Sequence, residues 1–136
     1  MLNGKLIAKG IQDPEDARLA VDSGADAIVV SNHGGRQLDG ASSSISTLPR
    51  IVEAVGQRVE VHMDGGIRSG QDALKAIALG GRGTYIGHAM MYGLGALGEQ
   101  GVTTALELIQ NELDLSMAFC GKTEIRAVDR SILRLR

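Results

Sequence analysis

Residues 27–39 read AIVVSNHGGRQLD, an apolar run followed directly by a polar loop with two adjacent glycines. The apolar part predicts a buried strand over residues 27–31. In the loop, His33 can take a proton near neutral pH, and Arg36 can bind a carboxylate or phosphate through two parallel hydrogen bonds. Ligands of open α/β sheets bind outside the carboxyl ends of the strands, so this stretch predicts both an α/β fold and its functional edge.

The composition predicts a single globular domain. Its 136 residues suffice for one hydrophobic core, and 43% of them are hydrophobic while 22% are charged. A formal net charge of −2 and only 2% aromatic residues argue against a nucleic-acid or anionic-membrane surface. The single cysteine excludes an intrachain disulfide, and the first residues lack a signal-peptide pattern, so we expect a cytoplasmic protein. No spacing of Cys, His and Asp predicts a metal site.

Apolar runs and turn residues predict strands that alternate with helices. Asp13 and Pro14 are typical of an N-cap and a first helical residue, and Gly24 is typical of a helix end. We also expect the leucines of the last two helices and the Cys120 thiol to be buried. Alternation of this kind predicts a parallel sheet with right-handed crossovers. The strands are expected over residues 6–9, 27–31, 59–63 and 83–86, and the later helices over 45–55, 69–79, 90–97 and 102–119.

Because parallel strands end at the same edge of a sheet, several polar residues are expected to meet there. A lysine such as Lys9 could stabilise a developing anion, although a lysine at a strand end is also commonly only solvated. His88 could contact a phosphate or cap a turn, and His62, inside the third strand, is expected to be structural. The strand ends carry Lys9, Ser31, His33, Asp64, Gly87 and His88.

A second glycine-containing loop, DGGIRSG, occupies residues 64–70 between a predicted strand and a predicted helix. Backbone N–H groups of such a turn, together with the helix N-terminus, form a ready phosphate cradle. Arg68 would add positive charge, and Asp64 would accept hydrogen bonds from ligand hydroxyls. The alternative is a tight strand-to-helix turn with an N-cap and no ligand.

Three stretches together resemble the FMN-dependent α-hydroxy-acid dehydrogenases and oxidases: IAKGI at residues 7–11, SNHGGRQLD at 31–39 and DGGIR at 64–68. Residues 61–64, VHMD, look closest to the bacterial L-lactate dehydrogenases of that family. The resemblance implies a TIM barrel with FMN at its C-terminal mouth. It also implies oxidation of an L-2-hydroxy acid, foremost L-lactate, to the 2-oxo acid, with oxygen, a quinone or a cytochrome as acceptor.

The resemblance also implies roles for single residues. His33 would be the base that takes the α-hydroxyl proton, and Arg36 would bind the substrate carboxylate. The family usually has arginine where this chain has His88, and an imidazole holds phosphate less firmly than a guanidinium. The residues that would contact FMN are Lys9, Ser31, Asp64, Gly65, Gly66, Arg68, Gly87 and His88.

The chain is short for this resemblance, because a full barrel needs about 250 residues. Residues 1–136 are therefore expected to form the C-terminal half of the barrel, strands five to eight plus C-terminal helices. Four strands leave two sheet edges open, so we expect self-association or pairing with an N-terminal half-barrel. Two other functions stay open: an FMN- or phosphate-binding half-barrel without turnover, and a truncated remnant. By resemblance, peripheral association with the inner membrane is also possible.

Overall fold

A computed structural model describes residues 3–134, so the first two residues and the last two of the predicted basic tail lie outside the described range. The chain forms one four-stranded parallel sheet in the order β1-β2-β3-β4, with helices between the strands. This confirms the predicted α/β class and the parallel alternation. None of the helices within residues 3–134 combines the length and apolar character needed to cross a membrane.

The elements follow the predicted order with small differences in their bounds. Short 3-10 turns lie at His33–Gly35, Ile125–Ala127 and Arg130–Ile132. The strands are β1 (Ile7–Ile11), β2 (Ala27–Val30), β3 (Glu60–Met63) and β4 (Gly83–Thr84), and the helices are α1 (Pro14–Asp22), α2 (Ser44–Val55), α3 (Gly70–Ala78) and α4 (His88–Phe119).

The hydrophobic core lies between one face of the sheet and helices α1 to α3. Alternate residues of a strand point to opposite faces, and Ile28 and Val30 of β2 are fully buried on the helix side. Val61 and Met63 of β3 lie in the same cluster, against residues such as Leu48 of α2. On the other face of the sheet, Val29 of β2 is buried but Ile7 of the edge strand β1 is 48% exposed, so this face is covered less completely towards β1.

The start of β1 is fixed by one carboxylate. Asp26 accepts hydrogen bonds from Lys5 Nζ at 2.7 Å and from the amide N–H of Leu6 at 2.8 Å. The bond from Lys5, followed by the bond from Leu6, lowers the pKa of Asp26, and the same contact raises the pKa of Lys5. Asp26 therefore ties the residues before β1 to the start of β2.

The last predicted strand and helices differ from expectation. β4 has only two residues, and the two predicted helices form one element, α4, with a break at Leu97 and Gly98. Gly98 has φ +62°, and the helical segments on either side of it cross where Gly93 meets Gly101. Neither of these two glycines has room for a side chain, so the crossing depends on the absence of Cβ atoms.

The prediction that the final helices and the thiol are buried is wrong in most places. Cys120 is exposed, since it lies just beyond the end of α4. Only one side of α4 reaches α3, where Met117 joins a small cluster with Leu74, Ala78 and the tail residue Val128. Four leucines of α4 are at least half exposed: Leu97, Leu106, Leu108 and Leu115.

Candidate functional site

A cleft of about 670 Å³ opens at the carboxyl ends of β2, β3 and β4. Its walls are the loop after β2, the loop after β3 and the first turn of α4. The predicted meeting of the strand ends is confirmed for these three strands. The predicted site residues that line the cleft are His33, Arg36, Asp64, Gly65, Gly66, Arg68, Gly87 and His88.

Lys9 and Ser31 are not part of the cleft lining, but their contacts connect β1 to it. Lys9 Nζ lies 2.7 Å from Asp64 Oδ2 and donates a hydrogen bond to Ser31 Oγ at 3.0 Å. Ser31 is 1% exposed, and its Oγ also accepts from the amide N–H of His33 at 3.1 Å. The alternative of a merely solvated Lys9 is therefore wrong, because the ammonium group is anchored on two oxygens.

The loop after β2 is a tight turn that presents His33 and Arg36. His33 has φ +55°, an uncommon conformation for a side chain with a Cβ, and Gly34 and Gly35 follow with φ +69° and +73°. Asn32 Oδ1 accepts a hydrogen bond from the amide N–H of Gly34 at 3.0 Å. Three successive positive φ values reverse the chain within one turn, which explains the two adjacent glycines.

The loop after β3 has the shape of a backbone cradle. Gly65 and Gly66 have φ +86° and +81°, and a Cβ added at Gly66 would meet no atom within 4 Å. Ser69 caps α3 by accepting from the amide N–H of Asp72 at 3.2 Å. The predicted N-cap is present, the backbone at Gly66 borders open space, and Arg68 lies on the cleft wall. Two N–H groups of this turn already have partners, since the amide of Arg68 donates to Asp72 Oδ2 at 3.1 Å and that of Gly70 to Glu112 Oε2 at 2.9 Å.

Asp64 carries the clearest sign of a missing polar partner. Its Oδ2 pairs with Lys9, while its Oδ1 is buried and has no hydrogen-bond partner among the described residues. An unsatisfied buried acceptor costs about 1–3 kcal/mol, and more when it is charged. A ligand hydroxyl directed at Oδ1 would remove that cost.

His88 lies at the start of α4 and faces Arg36. Gly87 is the N-cap of α4, so His88 does not cap this helix, and its Nε2 lies 3.5 Å from Arg36 Nη2. None of the ion pairs within residues 3–134 involves Arg36 or Arg68. The cleft therefore has two guanidinium groups without an acidic partner, as a site for anionic groups requires.

Some residues of the site were not predicted. Lys75 and Tyr85 line the cleft, and Ser44 Oγ accepts from the amide N–H of Asn32 at 3.2 Å. Lys75 lies inside a helix, where no local motif signals a binding residue. His62 contacts Glu60 Oε2 at 3.1 Å, outside the cleft lining, in keeping with the expected structural role. Within the described ranges there is no group of three metal-ligating side chains.

The architecture is an α/β fold with a ligand-sized cleft at the carboxyl ends of its strands, and comparison of sequences identifies the family. The model of the FMN-dependent dehydrogenase family matches residues 1–135, so the chain belongs to that family. The L-lactate dehydrogenase of Caulobacter vibrioides (strain NA1000 / CB15N) is 52% identical over 133 residues. Human 2-hydroxyacid oxidase 1 is 46% identical over 129 residues. The predicted resemblance is confirmed.

Solved structures agree with the sequence comparison. A mandelate oxidase with benzoyl-formic acid matches with a TM-score of 0.91 and 49% identity, over 95% of this chain and 38% of that one. A mandelate oxidase variant with the monooxide FMN adduct matches equally well and is covered over 41%. The matches to the two curated relatives cover 98% and 95% of this chain and 35% of each relative. The chain thus spans about a third of their length and forms part of a barrel.

Proposed function

We propose that this chain supplies the flavin cradle and the proton-accepting histidine of an enzyme that oxidises an L-2-hydroxy acid, foremost L-lactate, to the 2-oxo acid. The observation that carries the proposal is the unpartnered Oδ1 of Asp64, at the wall of a cleft that also holds His33, Arg36 and Arg68. The names of the relatives, L-lactate dehydrogenase and 2-hydroxyacid oxidase, support the substrate class.

The residues present fit FMN. Its ribityl hydroxyls match the buried acceptor of Asp64, and its phosphate matches the open backbone at Gly66 with Arg68 beside it. Gly65, Gly87 and His88 also line the cleft, and Lys9, bonded to Ser31, holds Asp64 from outside the lining. When bound, FMN accepts the electrons and the hydrogen that leave the substrate's α-carbon.

The chain's own residues would handle the substrate's proton and charge. His33 would take the α-hydroxyl proton as general base, a task for which histidine suits neutral pH. Arg36 would bind the substrate carboxylate with two parallel hydrogen bonds. Lys9, held between Ser31 and Asp64, would stabilise negative charge that develops beside it.

A second candidate is an FMN-binding module without turnover. No hydrogen bond or ion pair within residues 3–134 holds the His33 ring, so no carboxylate of the described residues orients it. Loss of such an orienting carboxylate can cost orders of magnitude in rate. Binding and turnover are therefore measured separately.

The first experiment titrates FMN with the purified chain and follows flavin fluorescence. We expect saturable binding with one FMN per site, and a dissociation constant about ten- to a hundredfold higher for Arg68→Ala, because a hydrogen bond to a charged group contributes about 1.5–3 kcal/mol. Arg82→Ala is the matched control, since Arg82 is exposed at the start of β4 and lies outside the cleft. Absence of saturable binding, or equal losses in both variants, contradicts the cradle.

L-lactate is then added to the loaded chain without oxygen. We expect loss of the flavin's visible absorbance, which His33→Gln abolishes while FMN stays bound. Bound FMN that L-lactate does not bleach would favour the module without turnover.

We also propose that strands outside this chain pair with the open edges β1 and β4, either from an N-terminal half-barrel or from a second copy. Exposed apolar residues at β1 support this, with Leu6 58% and Ile7 48% exposed. A cytoplasmic location, with peripheral contact to the inner membrane, is a further proposal. The lone Cys120 supports a reducing compartment.

A further inference from the structure

Gly10 interrupts strand β1 immediately after Lys9. Lys9 pairs with Val29 and Ile11 pairs with Val30, so Gly10 is the extra residue of a β-bulge. Its φ is +98°, in a region that side chains with a Cβ rarely adopt. The bulge alone would explain a glycine at this position, but the contact with His33 is a second reason why no side chain fits here.

The imidazole of His33 lies directly against the Cα of Gly10. A Cβ added at Gly10 would be 2.6 Å from His33 Nε2 and 3.1 Å from Cε1. The first distance is shorter than real Cβ contacts, so the ring and a side chain at position 10 cannot share this space. The ring therefore lies where residue 10 would otherwise place its side chain.

The backbone of His33 is held independently of its ring. The amide N–H of His33 donates to Ser31 Oγ, which also accepts from Lys9 Nζ. No hydrogen bond within the described residues holds the ring itself. The contact with Gly10 thus limits one side of an imidazole that no hydrogen bond of the described residues holds.

A displaced ring has space to enter. A second cavity of about 250 Å³ is lined by both Gly10 and His33, together with Ser31, Gln37 and Leu38. His33 also lines the main cleft, so its ring stands between the two spaces. Free space beside the ring therefore exists into which a methyl group at position 10 would displace it.

We infer that Gly10 is a positioning residue for His33. Because Gly10 has no side chain, the imidazole can lie against β1 with Nε2 beside Gly10, and a side chain at position 10 would displace it. The inference rests on the proposed function only in naming His33 as the base. The contact between the two residues is a separate matter, and it can be tested without FMN or substrate.

The test observes the imidazole signals of the chain by NMR, where its three histidines give few signals to assign. We expect Gly10→Ala to shift the ring signal of His33 and to leave those of His62 and His88 in place. Gly24→Ala is the matched control: Gly24 has φ +100°, close to that of Gly10, but a Cβ there meets no atom within 4 Å. An unchanged His33 signal in Gly10→Ala overturns the inference.

A second measurement covers the case in which Gly10→Ala folds poorly. The denaturation midpoint is compared for Gly10→Ala in the native background and in a His33→Ala background. We expect a clearly smaller loss when the ring is absent, or folding restored by its removal. An equal loss in both backgrounds, or failure to fold in both, means that backbone strain alone explains the glycine and overturns the inference. Neither result depends on whether the chain binds FMN.

Discussion

At the scale of single residues, Asp64 divides its two oxygens between two tasks. Oδ2 holds Lys9 at 2.7 Å, and Oδ1 is buried without a partner. The ion pair contributes little to stability, because the Lys9 side chain is 47% exposed and water screens the attraction. The carboxylate is therefore maintained at a cost that only a ligand offsets.

Asp64→Ala tests this division. It removes an ion pair worth up to about 1 kcal/mol together with an unsatisfied acceptor that costs about 1–3 kcal/mol, so we expect the free energy of unfolding without ligand to stay level or to rise. FMN binding should weaken about ten- to a hundredfold, because a charged acceptor for the ligand is lost. Urea denaturation and the FMN titration measure the two effects.

Asp22→Ala is the control for this variant. Asp22 pairs with Arg58 at 2.6 Å on the exposed surface, far from the cleft lining. Asp22→Ala should leave both the free energy of unfolding and the affinity for FMN nearly unchanged. A large loss of stability without FMN in Asp64→Ala would contradict the division of tasks.

At the scale of elements, α3 and α4 pack closely just after the loop that follows β3. Gly70 begins α3 directly after the cradle, and its amide N–H donates to Glu112 Oε2 at 2.9 Å. A Cβ at Gly70 would collide with the backbone of α4 around Ile109 and Leu113. The absence of a side chain at one residue thus sets the distance between two helices.

Gly70→Ala should force the two helices apart. Overpacking of this kind costs about 1–3 kcal/mol, and the contact here is with backbone, which cannot move aside. The control is Gly95→Ala in α4, where a Cβ meets nothing within 4 Å. Alanine in an exposed helix is favoured over glycine by about 0.5–1 kcal/mol, so Gly95→Ala should stabilise the chain. Thermal unfolding measures the change in melting temperature of both variants. Equal changes in Gly70→Ala and Gly95→Ala would contradict the close packing at Gly70.

At the scale of the whole molecule, the sheet is parallel yet its second face is only partly covered: Val29 of β2 is buried there, while Ile7 of β1 is exposed. Parallel sheets occur almost always with both faces covered. Here Leu6 and Ile7 are exposed at β1, and β4 has an unpaired edge among the described residues. These surfaces are where further strands of a barrel would pack.

The open edge predicts association that depends on concentration. Sedimentation velocity should report dimers or larger species, and Ile7→Lys should shift them towards monomer, because a charge on an edge strand opposes pairing. Leu19→Lys on α1 is the control, since Leu19 is 59% exposed but lies away from the strand edge. A compact monomer at all concentrations would contradict the proposed pairing.

Local signals predicted much of this fold. Asp13 caps α1 ahead of Pro14 as expected, and the buried run of β2 begins at the predicted residue. The exposed leucines of α4 were not predictable, because burial depends on which surfaces cover a helix and not on its own apolar pattern. The contact between Gly10 and His33 also needs three dimensions, since a bulge arises only when β1 pairs with β2.

The candidate site shows the same limit. The residues that belong to compact motifs, such as Asp64 and Arg68, were predicted and lie on the cleft. Lys75 was missed because it reaches the cleft from inside a helix. The roles assigned to Asp64 and Arg68 are predictions that the FMN titrations test.

The parallel strand order has a consequence for when binding becomes possible during folding. Each neighbouring strand is reached through a helical crossover, so no hairpin can form part of the cleft early. Arg36 and His88 meet across 52 positions of sequence, and such distant contacts form slowly. A ligand that needs all these groups binds only the folded chain. By mass action, the fraction of chains that are folded then rises with the concentration of that ligand.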